Sequence, residues 1–217
     1  MSAPEVRPYG SWESPITADQ IASGAMGLSE IQMDGRDVCW LEMRPIEAGR
    51  SVVVRLRPGG APEDCIPQGF NARTRVHEYG GGSCLVTEGT LYFSNFADQR
   101  VYRLTPDGSP EPITPAEGLR YADHVWDARR KRIVCVREDH TKGGEPQNAI
   151  VALDLEACGP GTVLASGRDF YAAPRLSPDG TSLAWIEWSH PHMPWDAAEL
   201  WCAPLRGDGA LGERTHV

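Results

Sequence analysis

Four strand-like apolar runs, Val53-Val54-Arg55-Leu56, Val101-Tyr102-Arg103-Leu104, Ile150-Val151-Ala152-Leu153 and Leu200-Trp201-Cys202-Ala203, follow one another at steps of 48, 49 and 50 residues. A fixed period of this length limits the fold to stacked copies of one unit, because a single unit cannot bury its own apolar face. An earlier apolar run precedes each: Val38 to Leu41, Leu91 to Phe93, Ile133 to Val136, and Leu183 to Trp188. Ahead of these stand the turns Asp34-Gly35, Glu88-Gly89, Ala128 to Lys131 and Pro178-Asp179-Gly180, whose residue types close hairpins. A short extended piece ends each unit: Cys65-Ile66-Pro67, Pro112-Ile113-Thr114, Thr162-Val163-Leu164 and Glu213 to Val217.

Four antiparallel strands per unit of roughly 50 residues is the pattern of a β-propeller blade. A sandwich spaces its strands similarly without this repeat. The chain is therefore read as all-β, a β-propeller of about four blades that forms part of a larger ring. The blades are placed at 27–71, 82–117, 121–167 and 171–217, so the partial propeller spans 23–217. Residues 1–22 are expected to form a lead-in strand packed on the ring.

A net charge of -9 and a pI near 5.1 exclude a nucleic-acid partner, which needs clustered Lys and Arg. The single basic run, Arg129 to Arg132, is expected to be a solvated hairpin tip. Six cysteines include Cys39, Cys135 and Cys202 at equivalent strand positions, where small apolar side chains fit, and no C-x-x-C pair suggests zinc. The first 15 residues lack the basic start and apolar core of a signal peptide, and no run reaches the about 18 apolar residues of a membrane span. The expected setting is cytoplasmic, with no membrane partner, no metal and no cofactor.

Strand parity sorts the connections by face: in a four-stranded meander the first and third turns share one end, and the second turn and the inter-blade link share the other. The minimal turns fall at the first end. The elaborate segments Arg73 to Gly82, Arg137 to Pro146 and Ser189 to Asp196 fall at the second. Loops rich in such side chains are where ligands and partners bind. The candidate residues are Arg75, His77, Glu78, Tyr79, Arg175, His190, His192, Trp195 and Asp196. The plainer readings are an inter-blade hydrogen-bond network for Arg75 to Tyr79, a tight link for Gly80-Gly81-Gly82, and packing for Trp185, Trp188, Trp195 and Trp201.

The segments TRVHEYGGG (Thr74 to Gly82), LYFSNFADQRVYR (Leu91 to Arg103), DFYAAPRLSPDGTSLAWIEW (Asp169 to Trp188) and HPHMPWDAAELW (His190 to Trp201), with GSWESPIT at Gly10 to Thr17, give this chain its family likeness. In this order they resemble the N-terminal propeller of the prolyl oligopeptidase family of serine peptidases, in particular its acylaminoacyl-peptidase-like and dipeptidyl-aminopeptidase-like bacterial members. The resemblance implies a ring of about seven blades that caps an α/β-hydrolase domain carrying Ser, Asp and His. The hydrolase domain and short peptides are then the expected partners, with Glu78 holding a peptide amino group and Arg75 or Arg175 a carboxylate. No nucleophile elbow Gly-x-Ser-x-Gly occurs here, so catalytic residues are expected to be absent and the chain inactive alone. Exposed blade faces are expected to make it self-associate. A stand-alone binding module and a propeller sugar lactonase or lyase remain open as alternative classes.

Overall fold

The computed structural model describes residues 5–217. Among the described residues sixteen strands form four antiparallel sheets, each a meander in sequence order. Blade 1 contains β1 (Gly27–Asp34), β2 (Asp37–Arg44), β3 (Arg50–Leu56) and β4 (Pro62–Asp64). Blade 2 contains β5 (Cys84–Thr87), β6 (Thr90–Ser94), β7 (Val101–Leu104) and β8 (Glu111–Pro112). Blade 3 contains β9 (Leu119–Asp127), β10 (Arg132–Asp139), β11 (Gln147–Leu153) and β12 (Thr162–Ser166). Blade 4 contains β13 (Phe170–Leu176), β14 (Ser182–Trp188), β15 (Glu199–Pro204) and β16 (Thr215–His216).

The repeat read from the sequence is thus the structural repeat. Blade 1 differs in detail: its last strand is Pro62–Asp64 rather than Cys65-Ile66-Pro67, and Cys65 only extends the pairing through its amide bond to the Val53 carbonyl (2.8 Å). In place of a lead-in strand there is a helix, α1 (Ala18–Gly24), started by a capping box in which Thr17 and Gln20 bond each other's amides. Side chains ahead of it, including Tyr9 and Trp12, stay exposed instead of packing on the blades.

Three apolar cores hold the blades together. Leu41, Val53 and Phe93 lie between blades 1 and 2. Tyr121, Ile133 and Val151 join blade 2 to blade 3, and Tyr171, Leu183 and Trp185 join blade 3 to blade 4. Among the described residues no such core joins blade 4 back to blade 1. Leu28 and Met33 on blade 1 and Leu200 on blade 4 are exposed, so the four blades form an arc about a common axis.

The first-turn end is clasped from blade to blade. Gly89 donates its amide to Asp34 (2.7 Å), Lys131 reaches Glu88 (3.4 Å), and Arg130 donates to the Gly180 carbonyl (3.0 Å). The basic run is therefore only partly solvated, which corrects the expectation from sequence. Arg130 and Arg132 both bind the fully buried Asp127, at 3.3 and 2.9 Å, and continue to the carbonyls of Arg206 and Gly209 in blade 4. A buried carboxylate between two cations compensates its desolvation; the run is spent on this clasp rather than on solvent.

Candidate functional site

At the opposite end, the link Arg73 to Gly82 crosses from blade 1 to blade 2 and lies against blades 3 and 4. His77, Glu78 and Gly80 all have positive φ (55°, 65° and 91°), so the link is tightly coiled. Glycine is needed at Gly81, where a Cβ would stand 3.0 Å from the Ala122 side chain. The coil is pinned by Glu138, a buried carboxylate on β10 that accepts from the His77 amide (3.1 Å), from Arg120 (3.3 Å) and from His140 (2.9 Å). Arg120 also holds Glu78 (2.6 Å) and the Arg75 carbonyl (2.9 Å). The Arg120 guanidinium keeps the Glu78 carboxyl below the usual carboxylate range.

The His77 ring enters an aromatic cluster with Tyr79, Phe170 and Trp188, at centroid separations of 5.7, 5.3 and 5.5 Å. Phe170 stacks on Trp188 (5.2 Å) and meets His190 edge-on (4.9 Å). Burial lowers the His77 pKa and raises that of the Tyr79 phenol. The Arg75 guanidinium lies over Phe96 (5.4 Å). The structure therefore brings Arg75, His77, Glu78, Tyr79 and His190 to one face, through an inter-blade network.

His192, Trp195 and Asp196 lie on the next loop of that face. The His192 amide bonds the Ser189 carbonyl (3.1 Å), and Asp196 accepts from the Met193 amide (3.2 Å) at the start of α2 (Pro194–Ala197). Trp195 is 76% exposed, whereas Trp185 and Trp188 are buried and Trp201 is half-buried. The packing reading holds for those three tryptophans and fails for Trp195.

Arg175 lies elsewhere, in a groove of about 340 Å³ along the propeller axis, with Glu30, Asp123 and His124. The innermost strands bulge here, with Glu30, Asp123 and Ala173 at φ of 50°, 58° and 50°. The carboxylates bridge blades: Glu30 accepts from the amides of Ser83 (2.9 Å) and Cys84 (3.1 Å), and Asp123 from those of Gly82 (2.7 Å) and Ala173 (2.8 Å). Burial drives the His124 pKa down to about 4, so the ring is neutral. Sequence reasoning missed Glu30, Asp123 and His124. A signal existed in the repeated Tyr-Ala pair, Tyr121-Ala122 and Tyr171-Ala172, each placing the next residue at a bulge. A larger cavity, about 640 Å³, opens between the outer parts of blades 1 and 2 and contains none of the candidate residues.

Among the described residues no group of three or more His, Cys, Asp or Glu side chains is arranged to hold a metal, and no helix is long and apolar enough to cross a membrane. Solved structures show what the arc is similar to. A puromycin hydrolase matches at 35% identity and a TM-score of 0.86, covering 98% of this chain and 35% of its own. A puromycin-hydrolyzing peptidase of Mycobacterium tuberculosis matches at 41% identity and a TM-score of 0.84, over the same shares. The acylaminoacyl peptidase of Pyrococcus horikoshii shares the fold at 11% identity and a TM-score of 0.57, over 92% of this chain and 33% of its own. The chain thus spans about a third of the length of the relatives it matches. No protein-family model and no curated protein matches it.

Proposed function

This chain corresponds to the propeller portion of prolyl oligopeptidase-family peptidases, and from that premise we propose that it serves as the substrate-gating part of a puromycin hydrolase-type serine peptidase. The observation that carries the reading is the 41% identity over 98% of the chain, which spans link, loops and blades alike. In this reading the hydrolase chemistry belongs to a separate α/β domain, and the propeller limits access to short peptides and puromycin-like aminoacyl compounds. The link and the Trp195 loop face that domain, and Glu78 contributes negative charge toward a peptide amino group. Six cysteines without a disulfide suit a reducing, cytoplasmic setting.

A chimera tests this directly. Residues 1–217 replace the matching third of puromycin hydrolase, and hydrolysis of puromycin, a dipeptide anilide and casein is measured. Retained puromycin and dipeptide turnover with casein refused is expected. A folded chimera that cleaves casein as readily as the dipeptide would overturn the gating role. In the same chimera, Glu78→Gln is expected to raise KM for substrates with a free amino group several-fold at similar kcat; an unchanged KM removes Glu78 from substrate contact.

A further inference from the structure

The axial groove contains a cation that the propeller itself does not use. Every other charged group lining it is committed. Glu30 accepts two backbone amides from blade 2 and the Ser83 hydroxyl (3.0 Å), and Asp123 accepts one amide from the link at Gly82 and one from Ala173 of blade 4. His124 is neutral, with burial as the cause. Arg175 is exposed, its hydrogen bond goes to the adjacent Pro174 carbonyl (2.7 Å), and among the described residues it makes no ion pair. Four of the five guanidinium N–H donors therefore remain for a ligand.

We propose that Arg175 anchors a carboxylate of a small peptide-like ligand in the axial groove, an inference that rests on short peptides having access to the propeller interior. A guanidinium matches a carboxylate with two parallel hydrogen bonds. The groove, at about 340 Å³, has the size of a small-ligand site rather than of a protein-binding cleft. A singly charged carboxylate suits it better than a doubly charged phosphate, because Glu30 and Asp123 face the same space and repel in proportion to ligand charge. Bulging at Ala173 sets this geometry, since the register shift between Ala172 and Arg175 turns the arginine toward the groove.

Isothermal titration of the 217-residue chain with acetyl-dialanine as the free acid and as its carboxamide tests the assignment. The acid is expected to bind about tenfold more tightly than the amide at low salt, with the advantage shrinking as salt is added. Arg175→Gln is expected to abolish the advantage, so that acid and amide bind alike; Arg175→Lys keeps part of it. Thermal melts of both variants should match the parent chain, since the side chain is solvent-facing. Equal affinity for acid and amide in the parent chain overturns the Arg175 assignment while leaving short-peptide binding standing. An acid preference that survives Arg175→Gln overturns it as well, by placing the carboxylate elsewhere. Binding of neither peptide removes both this inference and the reading it rests on.

Discussion

Blade 3 carries a buried carboxylate at each end, and the two are held differently. Asp127, at the first-turn end, is gripped by Arg130 and Arg132 from its own hairpin, and those arginines extend to blade 4 carbonyls. Glu138, at the other end, is gripped by a histidine, an arginine and the amide of a left-handed residue in a link arriving from blade 1. One carboxylate organises a local turn with permanently charged partners. The other collects a distant segment through the backbone amide of left-handed His77, alongside Arg120 and His140 of its own blade. The first-turn end is built for cohesion, and the link end can be adjusted without unmaking a blade.

The largest test of this contrast is removal of the carboxylates. Asp127→Ala leaves two mostly buried guanidiniums without their counter-charge, and is expected to cost about 3–5 kcal/mol in urea unfolding. Glu138→Gln keeps an acceptor for the His77 amide, so its cost is expected at about 1–3 kcal/mol. Equal losses at the two ends would break the comparison.

The asymmetry between legible and illegible features has a physical basis. Period, turns and apolar alternation are local signals, so all four blades were readable from Asp34-Gly35, Glu88-Gly89 and the runs that follow them. The arginine clasp was not, because whether Arg130 is solvated depends on Asp127 and on a blade 50 residues further along. The position of Arg175 was hidden for a similar reason: one bulge residue moves a side chain from a strand face into the axial groove. The collection of His77, Glu78 and His190 on one face did follow from strand parity alone, since parity fixes the end at which each connection lies.

Acid should act on the adjustable end and on the groove. His77 and His124 both have pKa values lowered by burial, His124 to about 4. A depressed histidine pKa means the unfolded chain binds the proton more readily, so the stabilising contribution is full above the ordinary value near 6.5 and is lost as pH falls toward about 4. For His124 the loss is on the order of 3 kcal/mol across that window. His124→Asn is expected to flatten the stability profile between pH 6.5 and 4, and His77→Phe to flatten it less while preserving the aromatic cluster. A profile unchanged in His124→Asn would mean the ring is accommodated in its charged form, with solvent reaching its unpartnered Nδ1, and the groove would be wetter than its burial indicates.

The smallest expected effects sharpen the comparison most finely. Lys131 and Glu88 are both largely exposed, so Lys131→Ala should cost about 0–1 kcal/mol although it belongs to the cohesive end. Trp195→Ala, at the other end, should leave stability within about 0.5 kcal/mol because 76% of the residue faces solvent. A large indole held in solvent with no stabilising return is a cost unless another surface covers it, and in the proposed reading the hydrolase domain of the chimera is that surface. Trp195→Ala should therefore be silent in the isolated chain and lower the melting temperature of the chimera. Loss of stability in the isolated chain instead would assign the tryptophan to blade 4 and remove it from any docking face.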